Sequence, residues 1–375
     1  MTKPFKIVLM GGDGIGPEIV DATLPVIDAA ISTFDLNVDV SSFKIGQLQF
    51  EASGYYLCRE AEKVCDALAE NGQGAILFGA VASEPIGILR KKYDLFANLR
   101  PLKILPSLGD ISRLKRRDDR NSKKNIDLLI VRELISGLYY GHEASGTDKA
   151  GRWATQEMRY HETDIRRIAK MAFEQAQKRN NKITFVHKVN AIPGVFGLWT
   201  TVITELASDY PEVLVDDILV DNMAMQMILR PGDFDVVLCS NMFGDILSDL
   251  AAGIIGSIGV CPSASINAVG FGLYESIGGC APDIAGENRA NPLSTILSLA
   301  MMCRISLGRD DVAEAIEVAC ETVLGTHRTA DIWQEGRSQI GCAEMGNLIA
   351  QSLMTQSKTS PTTIVNNACS TGSLV

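Results

Sequence analysis

The chain has 375 residues, too many for one compact module and about right for two domains sharing a core. Hydrophobic residues make up 46% and charged residues 21%, so large cores can form and global disorder is excluded. With 35 Lys and Arg against 45 Asp and Glu, the formal net charge is −10, which excludes a nucleic-acid coat or a polybasic membrane binder. No uncharged apolar run approaches the ~18–20 residues of a spanning helix. The start, Met1 to Phe5, offers no secretory stretch and leads straight into a strand-like run. Nine cysteines are scattered without a C-x-x-C pair, which reads as reduced, mostly buried thiols in a cytoplasmic protein.

Apolar β-type runs alternate with helical-period segments, the signature of an α/β fold. Lys6 to Met10 is a buried strand. It runs into Gly11-Gly12-Asp13-Gly14-Ile15-Gly16, and Pro17-Glu18 opens a helix. Glu60 to Glu70 is an amphipathic helix, followed by a strand at Gly74 to Gly79. Further strands are expected at Asp127 to Val131, Ile183 to Val186 and Phe234 to Leu238. Between the first two of these, Asp164 to Lys178 is a helix with Thr163 as its N-cap. Pro292 to Met302 reads as another helix. Arg113 to Lys124 is charge-dense but interrupted by Asp118 and Asp119, which suits a solvated connection. Gln356 to Val375 is Ser/Thr/Asn-rich without a period and reads as a mobile tail.

The glycine loop does not follow the G-x-G-x-x-G spacing, because Asp13 stands where the second glycine would be. A dinucleotide could lie against the following helix start, but a structural tight turn explains the loop as well. Asp245 and Asp249 place two carboxylates four apart on one helix face, with Ile246, Leu247 and Leu250 around the other sides. Hard oxygen ligands in this spacing suit Mg²⁺ or Mn²⁺, and Asp221 after Ile218-Leu219-Val220 could supply a third. The alternative is a solvent-facing acidic helix. Arg90 and Arg100 bracket a short segment, and Arg132 stands directly after the strand Leu128 to Val131. Guanidinium forks at strand and loop ends suit a small di-acid, although each arginine alone would pass as a surface ion pair. Tyr139 and Lys188 are candidate acid–base groups near strand ends. Ala281-Pro282-Asp283-Ile284-Ala285-Gly286, with Asn291-Pro292 beyond it, is either a Pro/Gly turn or a cofactor loop whose carboxylate meets a ribose diol. No histidine or cysteine arrangement suggests a covalent hydrolase.

Taken together, G-D-G-I-G-P-E at Gly12 to Glu18, D-L-F-A-N-L-R-P at Asp94 to Pro101, V-R-E-L at Val131 to Leu134 and F-G-D-I-L-S-D-L at Phe243 to Leu250 occur in order. With A-P-D-I-A-G and A-N-P, the chain resembles the β-decarboxylating dehydrogenases of the isocitrate/isopropylmalate type, most of all the isopropylmalate branch, over residues ~5–350. The resemblance implies a two-domain α/β fold that is not a Rossmann fold. Residues 1–103 and 258–355 would form the first, cofactor-side domain, residues 104–257 an inserted domain for metal and dimerisation, and 356–375 the tail. It also implies that Arg90, Arg100 and Arg132 clamp substrate carboxylates and that Asp221, Asp245 and Asp249 bind Mg²⁺ or Mn²⁺. Tyr139 and Lys188 would be the acid–base pair. Asn190, Asp283, Ile284 and Asn291 would contact the cofactor, with Asp283 selecting NAD over its 2′-phosphorylated counterpart. Lys188 and Asp221 would come from the neighbouring subunit, so a homodimer with shared active sites is implied.

Two departures stand out. Where the family usually reads E-P-V-H-G-S-A-P, this chain has Glu275 to Pro282 with Gly278 in place of the histidine. The loop from Gly79 to Arg90 is shortened, and Ser83 to Leu89 is the segment expected to face the malate's 3-substituent, with Gly87 leaving room. The activity expected is metal-dependent oxidative decarboxylation of a 3-substituted malate with NAD. The substituent is isopropyl-like or bulkier, such as benzyl, and a catalytically silent regulatory subunit is the rival of another class.

Overall fold

A run of apolar residues makes β1 (Phe5–Gly12), and Pro17 at its first turn starts α1 (Gly16–Phe34). The computed structural model describes residues 3–82, 84–112, 114 and 126–356. After α1 come β2 (Val38–Phe43), α2 (Gln47–Ser53), α3 (Arg59–Asn71) and β3 (Gly74–Ala80), the last buried at every position as a strand covered on both faces should be. Then follow α4 (Ile86–Lys92), β4 (Ala97–Lys103) and β5 (Asp127–Glu133). A separate antiparallel ribbon, β6 (Glu143–Asp148) with β7 (Gly151–Gln156), precedes α5 (Glu162–Gln177), β8 (Lys182–His187) and α6 (Pro193–Ala207). The chain continues through β9 (Leu214–Leu219), α7 (Val220–Leu229), β10 (Val236–Cys239) and α8 (Asn241–Ile255). It ends with β11 (Pro262–Ile266), β12 (Gly272–Ser276), α9 (Leu293–Ile305), α10 (Asp310–Leu324), the short pair β13 (His327–Arg328) and β14 (Ser338–Gln339), and α11 (Cys342–Gln356).

Ten strands form one sheet in the order β2-β1-β3-β12-β11-β4-β5-β10-β8-β9. Both outer thirds are parallel, while the pairs β12–β11, β11–β4 and β4–β5 are antiparallel. This is mixed α/β architecture, and its order is not that of a doubly wound dinucleotide-binding sheet. Six strands from residues 1–103 and 258–355 occupy one contiguous side of the sheet, and four from 104–257 the other. They meet at β4–β5, where Asn98 lies opposite Arg132. One apolar core runs under both halves, from Leu77 and Phe96 through Val131 to Trp199 and Ile316.

Several expected boundaries shift. Helix α5 starts at Glu162 with His161 as its cap residue, so Thr163 sits in the first turn and caps nothing; Glu162 and Asp164 oppose the helix dipole there instead. Arg132 is inside β5, which runs to Glu133 because the ladder with β4 continues to Ala97. The strand expected from Phe234 begins at Val236, since a short helical turn at Pro231–Asp233 delays it. Part of the segment expected to be a short loop facing substrate is helix α4, and its Leu89 is buried in the apolar core. Ser83, the charge-dense stretch apart from Leu114, and the tail beyond Gln356 lie outside the described residues. Among the described residues no helix is long and apolar enough to cross a membrane. The eight cysteines there are free thiols, six of them buried.

Candidate active site

The site is organised by α8 lying across the β4–β5 junction. Arg100 and Arg132 lie on one face of the antiparallel pair, because Asn98 faces Arg132 and Arg100 follows two residues on. Both are buried, at 5% and 2% exposed. The first turns of α8 cover them. Arg132 Nη1 donates to Asp245 Oδ1 at 2.5 Å, and Arg100 Nη1 donates to Ser248 Oγ at 2.6 Å while lying 3.5 Å from the same Asp245 oxygen. Asp249 Oδ1 lies 3.8 Å from Arg100. Tyr139, on the turn after β5, donates its hydroxyl to Asp245 Oδ2 at 3.0 Å, and its ring lies under the Arg132 guanidinium. The expected i,i+4 carboxylate pair is therefore no free acidic face. It is the counter-charge of two buried arginines.

The electrostatics follow. Burial, with Arg100 beside it, lowers Arg132 to about 10. Burial also lowers Arg100, against the pull of Asp245. Burial alone would raise the Asp245 carboxyl, but Arg132 and Arg100 outweigh it and hold the group below its usual range. Asp249 is raised by burial despite Arg100, and the charge on Asp245 adds to the rise. Burial and then Asp245 raise the Tyr139 phenol, so it keeps its proton across the neutral range.

Arg90, on α4, turns to the other wall of the cleft and donates from Nη2 to Glu275 Oε1 at 2.8 Å. A cleft of about 160 Å³ lies between them, lined among others by Phe78, Gly79, Arg90, Arg100, Glu275 and Gly278. It brings two of the three expected clamp arginines together with Glu275 and Gly278, and none of the expected cofactor contacts lines it. A larger concavity of about 490 Å³ lies at the β6–β7 ribbon, lined by His142, Thr155, Gln156, Glu157 and Arg159, with no clamp arginine in its wall. Two of the expected clamp arginines, Arg90 and Arg100, line the smaller one.

The glycine loop proves to be a packing device. Gly14 has φ +56°, and a Cβ there would lie 1.9 Å from the Cys280 carbonyl oxygen. Ile15 N–H donates to that same oxygen at 2.8 Å. Glu18 accepts from the Gly286 and Ala290 amides, at 3.1 and 3.3 Å, and so shapes the Ala281–Gly286 segment from below. Ile284 packs with Ile15 in a small core, whereas Asp283 is exposed and has no side-chain partner among the described residues. Asn291 donates to Asp331 at 3.0 Å and caps the Leu293 amide, so its side chain is already engaged. Asn190 is exposed just after β8.

Lys188 and Asp221 form a separate pair at the ends of β8 and β9, with Nζ donating to Oδ1 at 2.6 Å. That hydrogen bond holds the Asp221 carboxyl below its usual range. Among the described residues no three His, Cys, Asp or Glu side chains converge in a metal-ready group, so Asp221 does not join Asp245 and Asp249 within one chain. Near this pair, α7 exposes Met225, Ile228 and Leu229, and α8 exposes Ile246 at 58%, the residue expected to flank the carboxylates apolarly.

Glu275, Glu18, Asn241 and Glu133 do structural work at the site that their types and spacing did not announce. The only available signals were their places inside motifs, E-L after Arg132, P-E after the glycines and N-M before F-G-D.

The family model for isocitrate/isopropylmalate dehydrogenase matches residues 6–349. A 3-isopropylmalate dehydrogenase of Pectobacterium atrosepticum is 42% identical over 368 residues, covering 94% of this chain and 98% of that protein. The 3-isopropylmalate dehydrogenase of Haemophilus influenzae strain Rd is also 42% identical, over 94% of this chain and the whole of its own. Among solved structures, an isocitrate dehydrogenase from Methylococcus capsulatus superposes with TM-score 0.81 at 32% identity, covering 93% of this chain and 99% of that one.

Proposed function

The chain belongs to the isocitrate/isopropylmalate dehydrogenase family, and from that premise we propose that it oxidises and decarboxylates a 3-substituted malate of the isopropylmalate kind, using NAD and Mg²⁺ or Mn²⁺. The observation that carries the reading is the cluster of Arg100, Arg132, Asp245 and Tyr139, with Arg90 across the cleft. Buried guanidiniums are costly unless anions meet them, and a malate brings two carboxylates.

The donor set fits a hard divalent cation. Asp245 and Asp249 offer carboxylate oxygens from one helix face, and their side chains are 37% and 59% exposed. Asp221, supplied by a second copy of the chain, would be the third ligand. Bound there, the cation would polarise the substrate's 2-oxygen, and NAD would supply the hydride acceptor. The remaining steps fall to the chain's own residues. Arg90, Arg100 and Arg132 hold the carboxylates and so fix C2 and C3. Lys188, from the second copy and in its neutral form, accepts the 2-hydroxyl proton as hydride leaves C2. CO₂ then departs from C3, and Tyr139, kept protonated by its surroundings, returns a proton to that carbon. Exposed Asp283 accepts from a ribose diol and repels a 2′-phosphate, which favours NAD.

A shared site accounts for two surface features. Leu229 is 67% exposed beside Met225, Ile228 and Ile246, an apolar face that a second copy would cover. The β6–β7 ribbon stands outside the main sheet, and a lone two-stranded hairpin gains from a partner.

A bulkier substituent is the second reading, favoured by Gly87, where a Cβ would first meet the Glu84 carboxylate at 3.5 Å and nothing closer. Steady-state assays with NAD, Mg²⁺ and a panel of 3-alkyl and 3-aryl malates decide between them. Preference for isopropylmalate or a larger homologue is expected, with little activity on the 2′-phosphorylated cofactor. A clear preference for unsubstituted malate or isocitrate would overturn the assignment.

A further inference from the structure

Asn241 opens α8 and is 1% exposed, with all four hydrogen-bonding positions of its amide in use. Its Oδ1 accepts from Arg132 Nε at 3.1 Å and from Arg132 Nη2 at 2.7 Å. Its Nδ2 donates to the Leu134 carbonyl at 2.8 Å and the Ser136 carbonyl at 3.2 Å. A guanidinium only donates and a carbonyl only accepts, so one orientation of the amide satisfies every partner and its flip satisfies none. The backbone amide of Asn241 donates to the Tyr160 hydroxyl at 3.0 Å, which fixes where the helix starts. The Arg132 stem runs beneath Gly244, where a Cβ would lie 2.7 Å from the arginine's own Cβ. Arg132 is thus held along one edge and from above, and the nitrogen left facing the site is Nη1, on Asp245.

Resting on the functional reading above, we propose that Asn241 is a positioning residue. It occupies the Nε–Nη2 edge of Arg132, presents the Nη1 side to the substrate carboxylate, and ties that aim to the Leu134–Ser136 segment leading to Tyr139. It touches neither substrate nor cofactor. A plain packing role would lower stability and leave the kinetic constants to fall together, whereas positioning weakens the di-acid alone.

The test measures malate binding by calorimetry on the full chain, together with KM for the 3-substituted malate and for NAD. Asn241→Ala should raise the di-acid Kd and KM at least about tenfold, the size expected for losing hydrogen bonds to a charged group, with KM for NAD unchanged. Arg132→Lys cannot fill the Asn241 amide, so adding Asn241→Ala to it should cost little more. Asn241→Asp keeps an acceptor for Arg132 but turns an oxygen toward the Leu134 and Ser136 carbonyls, so it should restore only part of the di-acid affinity, with KM for NAD unchanged. It also serves as the test variant if the alanine chain does not fold. Unchanged di-acid affinity in Asn241→Ala or in Asn241→Asp, or additive losses in the double variant, would each overturn the role. A wild-type chain that binds no di-acid would instead defeat the functional reading itself.

Discussion

Two walls of the proposed site are built on different principles. On the α8 wall, buried Arg100 and Arg132 are met by the half-buried Asp245 and by Ser248, and the exposed Tyr139 donates to the same aspartate. On the proposed cofactor wall, the Ala281–Gly286 segment is shaped by backbone: the glycine loop packs beneath it, Glu18 accepts from the Gly286 and Ala290 amides, and the Asp283 side chain is exposed. Function and stability are therefore coupled on the first wall and separable on the second. A buried ion pair broken on one side leaves its partner uncompensated, while an exposed side chain on a rigid loop can change with little cost to folding.

The largest effect should come from Asp245→Asn. It removes the shared counter-charge of two arginines, the acceptor of the Tyr139 hydroxyl and a proposed metal ligand together. We expect kcat/KM to fall about 10²–10³-fold and thermal stability to fall with it, at the scale of a truncated buried pair. Unchanged Mg²⁺ dependence in this variant would show that the carboxylate serves structure alone.

Gly244→Ala tests the same wall by volume instead of charge. The added methyl would sit 2.7 Å from Arg132 Cβ and Cγ, so arginine or helix must move. About 1–3 kcal/mol of stability should be lost, with a raised KM for the di-acid. A variant as stable and as active as the parent would mean that α8 does not hold Arg132 in place.

Glu133, beside Arg132, makes the stability of this wall depend on pH. Burial raises its carboxyl from 4.5 to about 7, although the Ile135 and Ser136 amides donate to it. The folded state then keeps a proton that the unfolded chain has lost, so stability falls as pH rises from about 4.5 to about 7 and levels off above. The full loss is on the order of 3 kcal/mol. Thermal unfolding across that range should show the decline, and Glu133→Gln should flatten it. An equally steep decline in the glutamine variant would assign it to another group.

The smallest change is expected on the cofactor wall. Gly278 has room for a side chain, its nearest would-be contacts being Ile258 and Ser276 at 3.5 Å. Gly278→His should leave melting temperature and di-acid KM where they are and lower KM for NAD by a few-fold, roughly one added contact. A loss of stability as large as that of Gly244→Ala would erase the distinction between the walls.

How much of this was legible beforehand differs along the chain. Strands such as β1, β3 and β8 appeared within a residue or two, because a buried strand is apolar along its centre, and glycine or proline also marks the ends of β1 and β3. The acidic pair on α8 and the arginines at 100 and 132 were visible from residue type and spacing, although as a metal site and a clamp considered apart. That Asp245 serves both arginines was not visible, since the contacts span more than a hundred residues of sequence. Asn241 and Glu133 stayed hidden because an amide or a carboxylate beside a motif looks the same in sequence whether it points to solvent or to a buried guanidinium. In the segment before Arg90, helix α4 displaced the loop expected there, because Leu89 gains more from the core than from the cleft.

Amino-acid order alone settled the α/β class, the acidic character of the chain, and the identity of the charged groups available for chemistry. Local periodicity and composition carry that information without reference to distant residues. Tertiary structure decided which charges meet: Asp245 with Arg100, Arg132 and Tyr139, Arg90 with Glu275, and Lys188 with Asp221 on another part of the surface. Pairing depends on distance and burial, and both are set by how β4, β5 and α8 pack, because a charge removed from water is stable only where the fold brings its counter-charge to it.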